Sequence, residues 1–165
     1  MKMIDVGAKP RTERVAIAAG RVAMLPETAA RVARGDVEKG DVLAAARLAG
    51  IMAAKRTPDL VPLCHPIALS GVEVEVTPGP DGLAVTATVR TVDRTGVEME
   101  ALAAVAAACL TIYDMLKMYE RGMRIEAVEL TEKRGGRSGL WRRAPRGSPG
   151  PRAGTRSRSR RTRGG

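Results

Sequence analysis

The chain has 165 residues, 44% of them hydrophobic, which is enough for one hydrophobic core and too short for a large multidomain protein. Its net charge of +10 points to a nucleic-acid or anion binder until the charge is located along the chain. Residues 142–165 contain nine arginines and no acidic residue, whereas residues 1–141 contain 19 basic and 18 acidic side chains. The predicted folded part is therefore almost neutral.

The residue types that are rare in this chain argue against several further classes of protein. Two cysteines and one histidine are too few for a zinc site, so we expect no metal. Three aromatic residues, Tyr113, Tyr119 and Trp141, offer little surface for stacking nucleic-acid bases. The first residues lack the apolar core of a signal peptide, and the longest apolar run, residues 101–110, is too short to span a bilayer. We expect a cytoplasmic protein that does not enter the membrane.

Hydrophobic periodicity and turn residues predict the secondary structure. Alternation around Val15 and Ile17 predicts a strand, and a Pro-Gly-Pro-Asp-Gly turn between two alternating runs predicts a hairpin. The predicted elements, in chain order, are a strand over 12–18, helices over 26–34 and from 39 or 41 to 55, an extended proline-rich loop over 57–66, strands over 69–77 and 83–92, a helix over 97–119 and a strand over 124–131. This order predicts an α+β fold, in which an antiparallel sheet carries helices on one face.

The composition changes sharply after Trp141. The following segment consists of Arg, Gly, Pro, Ser and Thr, with alanine as its only aliphatic residue. Such a segment cannot bury enough apolar surface to offset its ordering entropy. We therefore predict a single domain over 1–141 and a disordered tail over 142–165. The tail is either an arm that binds RNA or phosphate or a solvated appendage, and its charge alone favours the appendage.

The long predicted helix carries the first candidate for chemistry. Asp114 and Lys117 are three residues apart on one helix face, and they are the only charged residues between Ala101 and Met118. The spacing alone favours a surface ion pair, whereas the apolar surroundings favour an acid–base pair. Glu100 lies roughly 20 Å from Asp114 along the helix axis, too far for contact within one chain.

Three other segments carry weaker signals. Glu98 and Glu100 open the long helix, where negative charge also stabilises the helix dipole. His65 lies in the proline-rich loop beside Cys64, but neighbours in an extended segment point in opposite directions, so no Cys-His dyad is expected. The glycine-rich segment 133–139 is compatible with a phosphate-binding backbone nest, although a flexible terminus is the simpler interpretation.

Taken together, the ordered motifs resemble the MoaC family of cyclic pyranopterin monophosphate synthases, which act in molybdenum cofactor biosynthesis. The matching stretches cover nearly all of residues 3–140. They are Lys-Gly-Asp-Val at 39–42, Ala-Ala-Lys-Arg-Thr at 53–57, Leu-Cys-His-Pro at 63–66, Thr-Gly-Val-Glu-Met-Glu-Ala-Leu at 95–102, Leu-Thr-Ile-Tyr-Asp-Met at 110–115 and Gly-Gly-Arg-Ser-Gly at 135–139.

The resemblance implies a ferredoxin-like subunit in a homohexamer, arranged as a trimer of dimers with active sites at the dimer interfaces. It implies a lyase that converts 3′,8-cyclo-7,8-dihydro-GTP to cyclic pyranopterin monophosphate and pyrophosphate, without a redox step and hence without a cofactor. By position in the motifs, the implied catalytic residues are Asp114, Lys117 and Lys39. The implied substrate-binding residues are Leu63, Cys64, His65, Glu98, Met99, Glu100, Lys55, Arg14 and Lys133. The alternative is a nucleic-acid-binding α+β module with a basic arm, for which the sequence offers no base-reading residues.

Overall fold

The regular elements follow the predicted order, with two short additions. The structure is a computed structural model, and it describes residues 1–144. Its elements are β1 (Thr12–Ala23), α1 (Pro26–Ala33), α2 (Val42–Lys55), α3 (Thr57–Leu60), β2 (Leu69–Gly79), β3 (Gly82–Asp93), α4 (Glu98–Leu116), β4 (Arg124–Arg134) and β5 (Trp141–Arg142). The additions are α3 and β5.

The strands form one antiparallel sheet in the order β2-β3-β1-β4-β5. Because β3 lies between β1 and β2, and β1 lies between β3 and β4, each long helix connects two strands that are not neighbours. This is the split β-α-β arrangement. The α+β prediction is confirmed, and the strand order is compatible with a ferredoxin-like subunit.

The helices α2 and α4 cover one face of the sheet and pack against each other. Alternate residues of β1, including Ala16, Ala18 and Val22, are fully buried beneath them. Small residues allow the two helices to approach closely: a Cβ placed on Gly50 of α2 would lie 3.0 Å from the carbonyl oxygen of Ala104 in α4. The core is therefore built mainly from Ala and Val at short interhelical distance, which holds α4 in a fixed position on the sheet.

By length and composition alone, α4 is long and apolar enough to cross a membrane. Its contacts are those of a core helix, because it packs on β1, β3 and β4 and half of its most apolar window is buried inside the protein.

One prediction is wrong in detail, and the predicted domain boundary lies at a short strand. The first four residues of the predicted extended loop form α3, because a proline is compatible with the first turn of a helix and the Thr57 hydroxyl donates to the carbonyl of Ala54 at 3.1 Å. The predicted domain boundary after Trp141 falls inside β5, where Trp141 pairs with Lys133 and Arg142 with Glu132. The rest of the predicted tail, residues 145–165, lies outside the described part of the chain.

Candidate active site

Most of the side chains singled out from the sequence lie in two groups at opposite ends of α4. Asp114 lies in the last turn of this helix and Glu98 in its first turn, about 24 Å apart along the axis. The two groups do not meet within one chain.

The first group, the lysine–aspartate cluster, consists of Lys39, Asp114 and Lys117. Lys39 Nζ donates to Asp114 Oδ2 at 2.8 Å and to the Asp114 backbone carbonyl at 2.9 Å. Lys117 Nζ donates to Asp114 Oδ1 at 2.5 Å. The carboxylate is therefore bound on both oxygens by an ammonium group, one from the end of α4 and one from the turn before α2. All three side chains remain partly exposed to solvent.

The turn before α2 is fixed in two ways that hold Lys39 in place. The backbone N–H of Glu38 donates to the Tyr119 hydroxyl at 2.9 Å, and Gly40 adopts a φ of 101°, which a glycine reaches without strain. Asp41 then caps α2, where its side chain accepts from the backbone N–H of Ala44 at 2.9 Å. Lys39 is thus carried by a stiff turn that is anchored to the end of α4.

The two lysines lower the pKa of Asp114 to about 2, through the hydrogen bond from Lys117 first and that from Lys39 second. At neutral pH the carboxylate is ionised and the cluster carries one net positive charge. A carboxylate with so low a pKa is a weak base, whereas the two ammonium groups have protons to donate.

This pKa gives a prediction for stability. Because the folded pKa is below the unfolded one, the carboxylate stabilises the fold above about pH 4 and loses this contribution as the pH falls towards 2. We expect urea unfolding of wild type and Asp114→Asn to differ at pH 6 and to converge near pH 2. A difference that stays constant over this range would contradict the assignment.

The second group surrounds a cavity of about 490 Å³ at the other end of α4, which we call the cationic cleft. It is bordered by segments 9–14, 94–98 and 133–138, which are far apart in the sequence. Five cationic side chains and one carboxylate line it: Lys9, Arg14, Arg94, Lys133, Arg137 and Glu98. Glu98 Oε1 accepts from Lys133 Nζ at 2.8 Å. The cleft therefore keeps a large excess of positive charge.

Two buried polar atoms at the cationic cleft have no partner within residues 1–144. They are Arg14 Nε and Thr12 Oγ1. Buried donors without an acceptor are costly, and an anionic ligand would supply the missing acceptors. The excess charge and the unpaired donors are suited to an anionic ligand.

Two glycines shape the wall of the cationic cleft. Gly135 and Gly136 have φ values of 96° and 68°, and Gly139 has a φ of 60°. A Cβ on Gly135 would overlap the carbonyl oxygen of Glu13, and a Cβ on Gly136 would overlap the Arg14 guanidinium. Residues 136–138 of this glycine-rich segment line the cleft.

The loop after α3 meets the first turn of α4 beside the cationic cleft. Cys64 Sγ donates to Glu100 Oε1 at 3.5 Å. Burial first, and the Glu100 carboxylate second, raise the pKa of Cys64 to about 11, and burial also raises the pKa of Glu100. Cys64 is therefore a neutral thiol at physiological pH and not a nucleophile.

The other candidate residues have less defined surroundings. Leu63 and Met99 are exposed apolar side chains and His65 is half-buried. The side chains of Lys55 and His65 make no hydrogen bond or ion pair within residues 1–144. Sequence reasoning missed Lys9, Thr12 and Arg94, because no spacing rule connects the three segments that build the cleft. In the part of the chain that the structure describes, no group of three or more His, Cys, Asp or Glu residues is arranged to hold a metal ion.

Fold and site together define an α+β domain with a cation-lined cleft and a carboxylate held between two lysines. Residues 3–136 match the MoaC family, to which this chain belongs. It is 60% identical over 144 residues to a cyclic pyranopterin monophosphate synthase of Thermomicrobium roseum, covering 86% of this chain and 87% of the relative. Relatives of the same name from Methylobacterium nodulans and Rhodospirillum rubrum are 56% and 57% identical, covering 87% and 84% of this chain and 91% and 85% of the relatives.

Proposed function

We propose that this chain is a cyclic pyranopterin monophosphate synthase of molybdenum cofactor biosynthesis. It is a lyase that converts 3′,8-cyclo-7,8-dihydro-GTP to cyclic pyranopterin monophosphate and releases pyrophosphate. The observation that carries the proposal is the lysine–aspartate cluster, found in a chain whose relatives bear this name at 56–60% identity. The test is direct: incubation of the purified chain with the cyclised GTP intermediate should yield the cyclic phosphate and pyrophosphate. Unchanged substrate would overturn the proposal.

The roles proposed for the lysine–aspartate cluster follow from its electrostatics. Opening the purine-derived ring and closing the pterin ring require protons to be delivered and removed at fixed places. Lys39 and Lys117 are the proton donors, because Asp114 is too weak a base to take protons near neutral pH. Asp114 instead aligns both ammonium groups, because each of its two carboxylate oxygens accepts a hydrogen bond from one of them.

The cationic cleft is the proposed site of the phosphates. Displacement of pyrophosphate by a ribose hydroxyl develops negative charge on the leaving group, which cationic side chains stabilise. Arg14 and Lys133 line the cleft. Lys55, the third basic group that the resemblance assigns to the pocket, is not among the lining residues. Leu63, Cys64, His65, Glu98, Met99 and Glu100 are proposed to bind the substrate around them. The chemistry proposed for these residues needs no redox cofactor.

The lysine–aspartate cluster and the cationic cleft are proposed to act together across a dimer interface. Since about 24 Å separates them within one chain, the lysine–aspartate cluster of one subunit is proposed to face the cationic cleft of another. Leu48 and Met52 of α2 and Leu110 of α4 are apolar and exposed in the single chain, which is typical of a surface that a partner covers. We propose a homohexamer built as a trimer of such dimers, in the cytoplasm.

The nucleic-acid-binding alternative gains no support. The Tyr113 hydroxyl donates to the carbonyl of Arg121 at 3.0 Å, and Arg31 covers the ring of Tyr119 at 4.5 Å. These rings are engaged within the chain and are poor platforms for stacking bases.

The domain boundary is proposed to lie after Ala144 instead of Trp141. Arg142 Nε donates to Glu132 Oε2 at 2.7 Å, and Arg143 Nε donates to the carbonyl of Leu130 at 2.7 Å, so both belong to the sheet edge. A chain that ends at Ala144 is expected to turn over substrate like the full chain, because all the matched motifs and both groups of candidate residues precede residue 145. A chain that ends at Leu140 should unfold at lower denaturant concentration. Lost turnover in the longer truncation product would show that the tail is functional.

A further inference from the structure

The turn over 135–140 joins β4 to β5 and forms part of the wall of the cationic cleft. Three of the residues that line the cleft belong to this turn, namely Gly136, Arg137 and Ser138. Its internal hydrogen bond, from the Gly139 N–H to the carbonyl of Gly136, is at the long end of the usual range, at 3.2 Å. The strand that follows, β5, has two residues, fewer than most strands. The position of the turn therefore depends on what else holds β5.

The side chain of Glu132 in β4 holds β5. Its Oε2 accepts a hydrogen bond from Arg142 Nε at 2.7 Å, and its Oε1 accepts one from Arg134 Nε. Both carboxylate oxygens are thus bound, and the side chain is only 12% exposed. The hydrogen bond from Arg142 first, and that from Arg134 second, lower the pKa of Glu132, so the carboxylate is ionised at neutral pH. We call these three residues the edge clasp.

Glu132 itself is not among the residues that line the cationic cleft. Neighbouring residues of a strand point to opposite faces of the sheet. The next residue, Lys133, lines the cleft and donates to Glu98 at 2.8 Å, so Glu132 is directed to the other face. Any contribution of Glu132 to the shape of the cleft is therefore transmitted by β5 and the turn.

We propose that Glu132 is a positioning residue for the cationic cleft: by fastening Arg142 it docks β5 on β4, and the docked strand keeps the turn, with Arg137, against a bound phosphate or pyrophosphate group. Glu132 lies outside the motifs that carry the family resemblance. The inference rests on the proposed function, because it takes the cationic cleft as the site of the phosphates.

The charge of Glu132 gives this inference a definite sign. Removing a carboxylate near a cation-lined cleft makes the local potential more positive, which by itself strengthens anion binding. Release of the turn acts in the opposite direction, because Arg137 is then no longer held in its binding position. Weaker anion binding after the loss of Glu132 therefore reports the position of the turn and not the change of charge.

The first test is a calorimetric titration of the full chain with inorganic pyrophosphate. We expect Glu132→Ala to weaken binding about tenfold. The matched control is Glu126→Ala, which removes a carboxylate from the same strand, where it pairs with Arg21 and Arg124. It should bind pyrophosphate as tightly as wild type or slightly more tightly. Wild-type or tighter binding by Glu132→Ala would overturn the inference.

A double variant tests whether Glu132 acts through Arg142. Arg142→Ala should also weaken pyrophosphate binding, because it opens the same clasp. The double variant Glu132→Ala/Arg142→Ala should bind no more weakly than the weaker of the two single variants, since residues that act as one unit are not additive. Losses that simply add would mean that the two side chains act independently, contrary to the inference.

The fluorescence of Trp141 provides a second test. Trp141 is the single tryptophan of the chain and is 40% exposed in β5, so acrylamide quenching reports directly on this strand. We expect quenching to rise roughly twofold in Glu132→Ala and to stay at the wild-type value in Glu126→Ala. Because coupling between two sites is reciprocal, saturating pyrophosphate should lower the quenching of Glu132→Ala towards the wild-type value. Equal quenching in wild type and Glu132→Ala, or quenching that pyrophosphate leaves unchanged, contradicts the proposed role.

The same measurements distinguish this inference from the proposed function. Wild type that does not bind pyrophosphate would overturn the proposed phosphate site together with the inference. Binding that does not depend on Glu132 would overturn the inference alone. Binding that depends on Glu132, in a chain that leaves the cyclised GTP intermediate unchanged, would support the inference and overturn the proposed lyase.

Discussion

Replacing Asp114 by asparagine, or Lys117 by alanine, is expected to lower kcat by roughly 10²–10⁴-fold while the chain stays folded. Asp114→Asn removes the charge that aligns Lys39 and Lys117, and Lys117→Ala removes a proton donor. The lost interactions act on the transition state, so kcat falls together with kcat/KM. Steady-state kinetics with the cyclised GTP intermediate measure the effect.

The matched control is Asp81→Asn. Asp81 also accepts a short ion pair, from Arg21 at 2.6 Å, and is similarly exposed, but it lies in the β2–β3 turn away from both groups. It should leave kcat unchanged. If the Asp114 and Lys117 variants behave like this control, the lysine–aspartate cluster is a surface ion pair and the catalytic assignment is wrong.

Gly135→Ala is expected to produce the second large effect, on the cationic cleft. A Cβ at this position overlaps the Glu13 carbonyl oxygen, and the φ of 96° is unfavourable for alanine. The segment 136–138 and the Arg14 guanidinium must shift in response. We expect at least a tenfold loss, about 1.4 kcal/mol, in the affinity for inorganic pyrophosphate, measured by calorimetry.

Gly139→Ala is the control that separates the effect of the Cβ overlap at Gly135 from the effect of a positive φ on alanine. Gly139 also has a positive φ, of 60°, but no atom lies within 4 Å of the position of its Cβ. It should reduce stability by about 1–3 kcal/mol and change pyrophosphate affinity little. Equal losses of affinity in the two variants would mean that the wall of the cleft does not depend on Gly135.

The long helices and strands were predictable because each shows its own periodic pattern of apolar residues. Alternation at Val72, Val74 and Val76 indicates β2 without reference to any other strand. The strand β5 was not predictable, since two residues show no period and their pairing depends on the turn over 135–139. The turn itself depends on positive φ values that glycine permits but does not impose.

The candidate site was predictable only where its residues are close in sequence. Asp114 and Lys117 share a helix face by spacing, whereas Lys39 is 75 residues from Asp114 and was assigned by family resemblance alone. Lys9 and Arg94 enter the cationic cleft through the register of β1 and β3, which place their ends side by side. No single segment of the sequence contains that information.

Mixing two inactive variants tests most directly whether one site is built from two chains. Asp114→Asn and His65→Ala are purified separately, combined in equal amounts, and allowed to exchange subunits. If the two residues serve one site from different chains, half of the dimers are mixed and each mixed dimer has one unaltered site, so about a quarter of the wild-type rate returns. If the rate of the mixture remains at that of the separate variants although subunit exchange is verified, the shared site is contradicted.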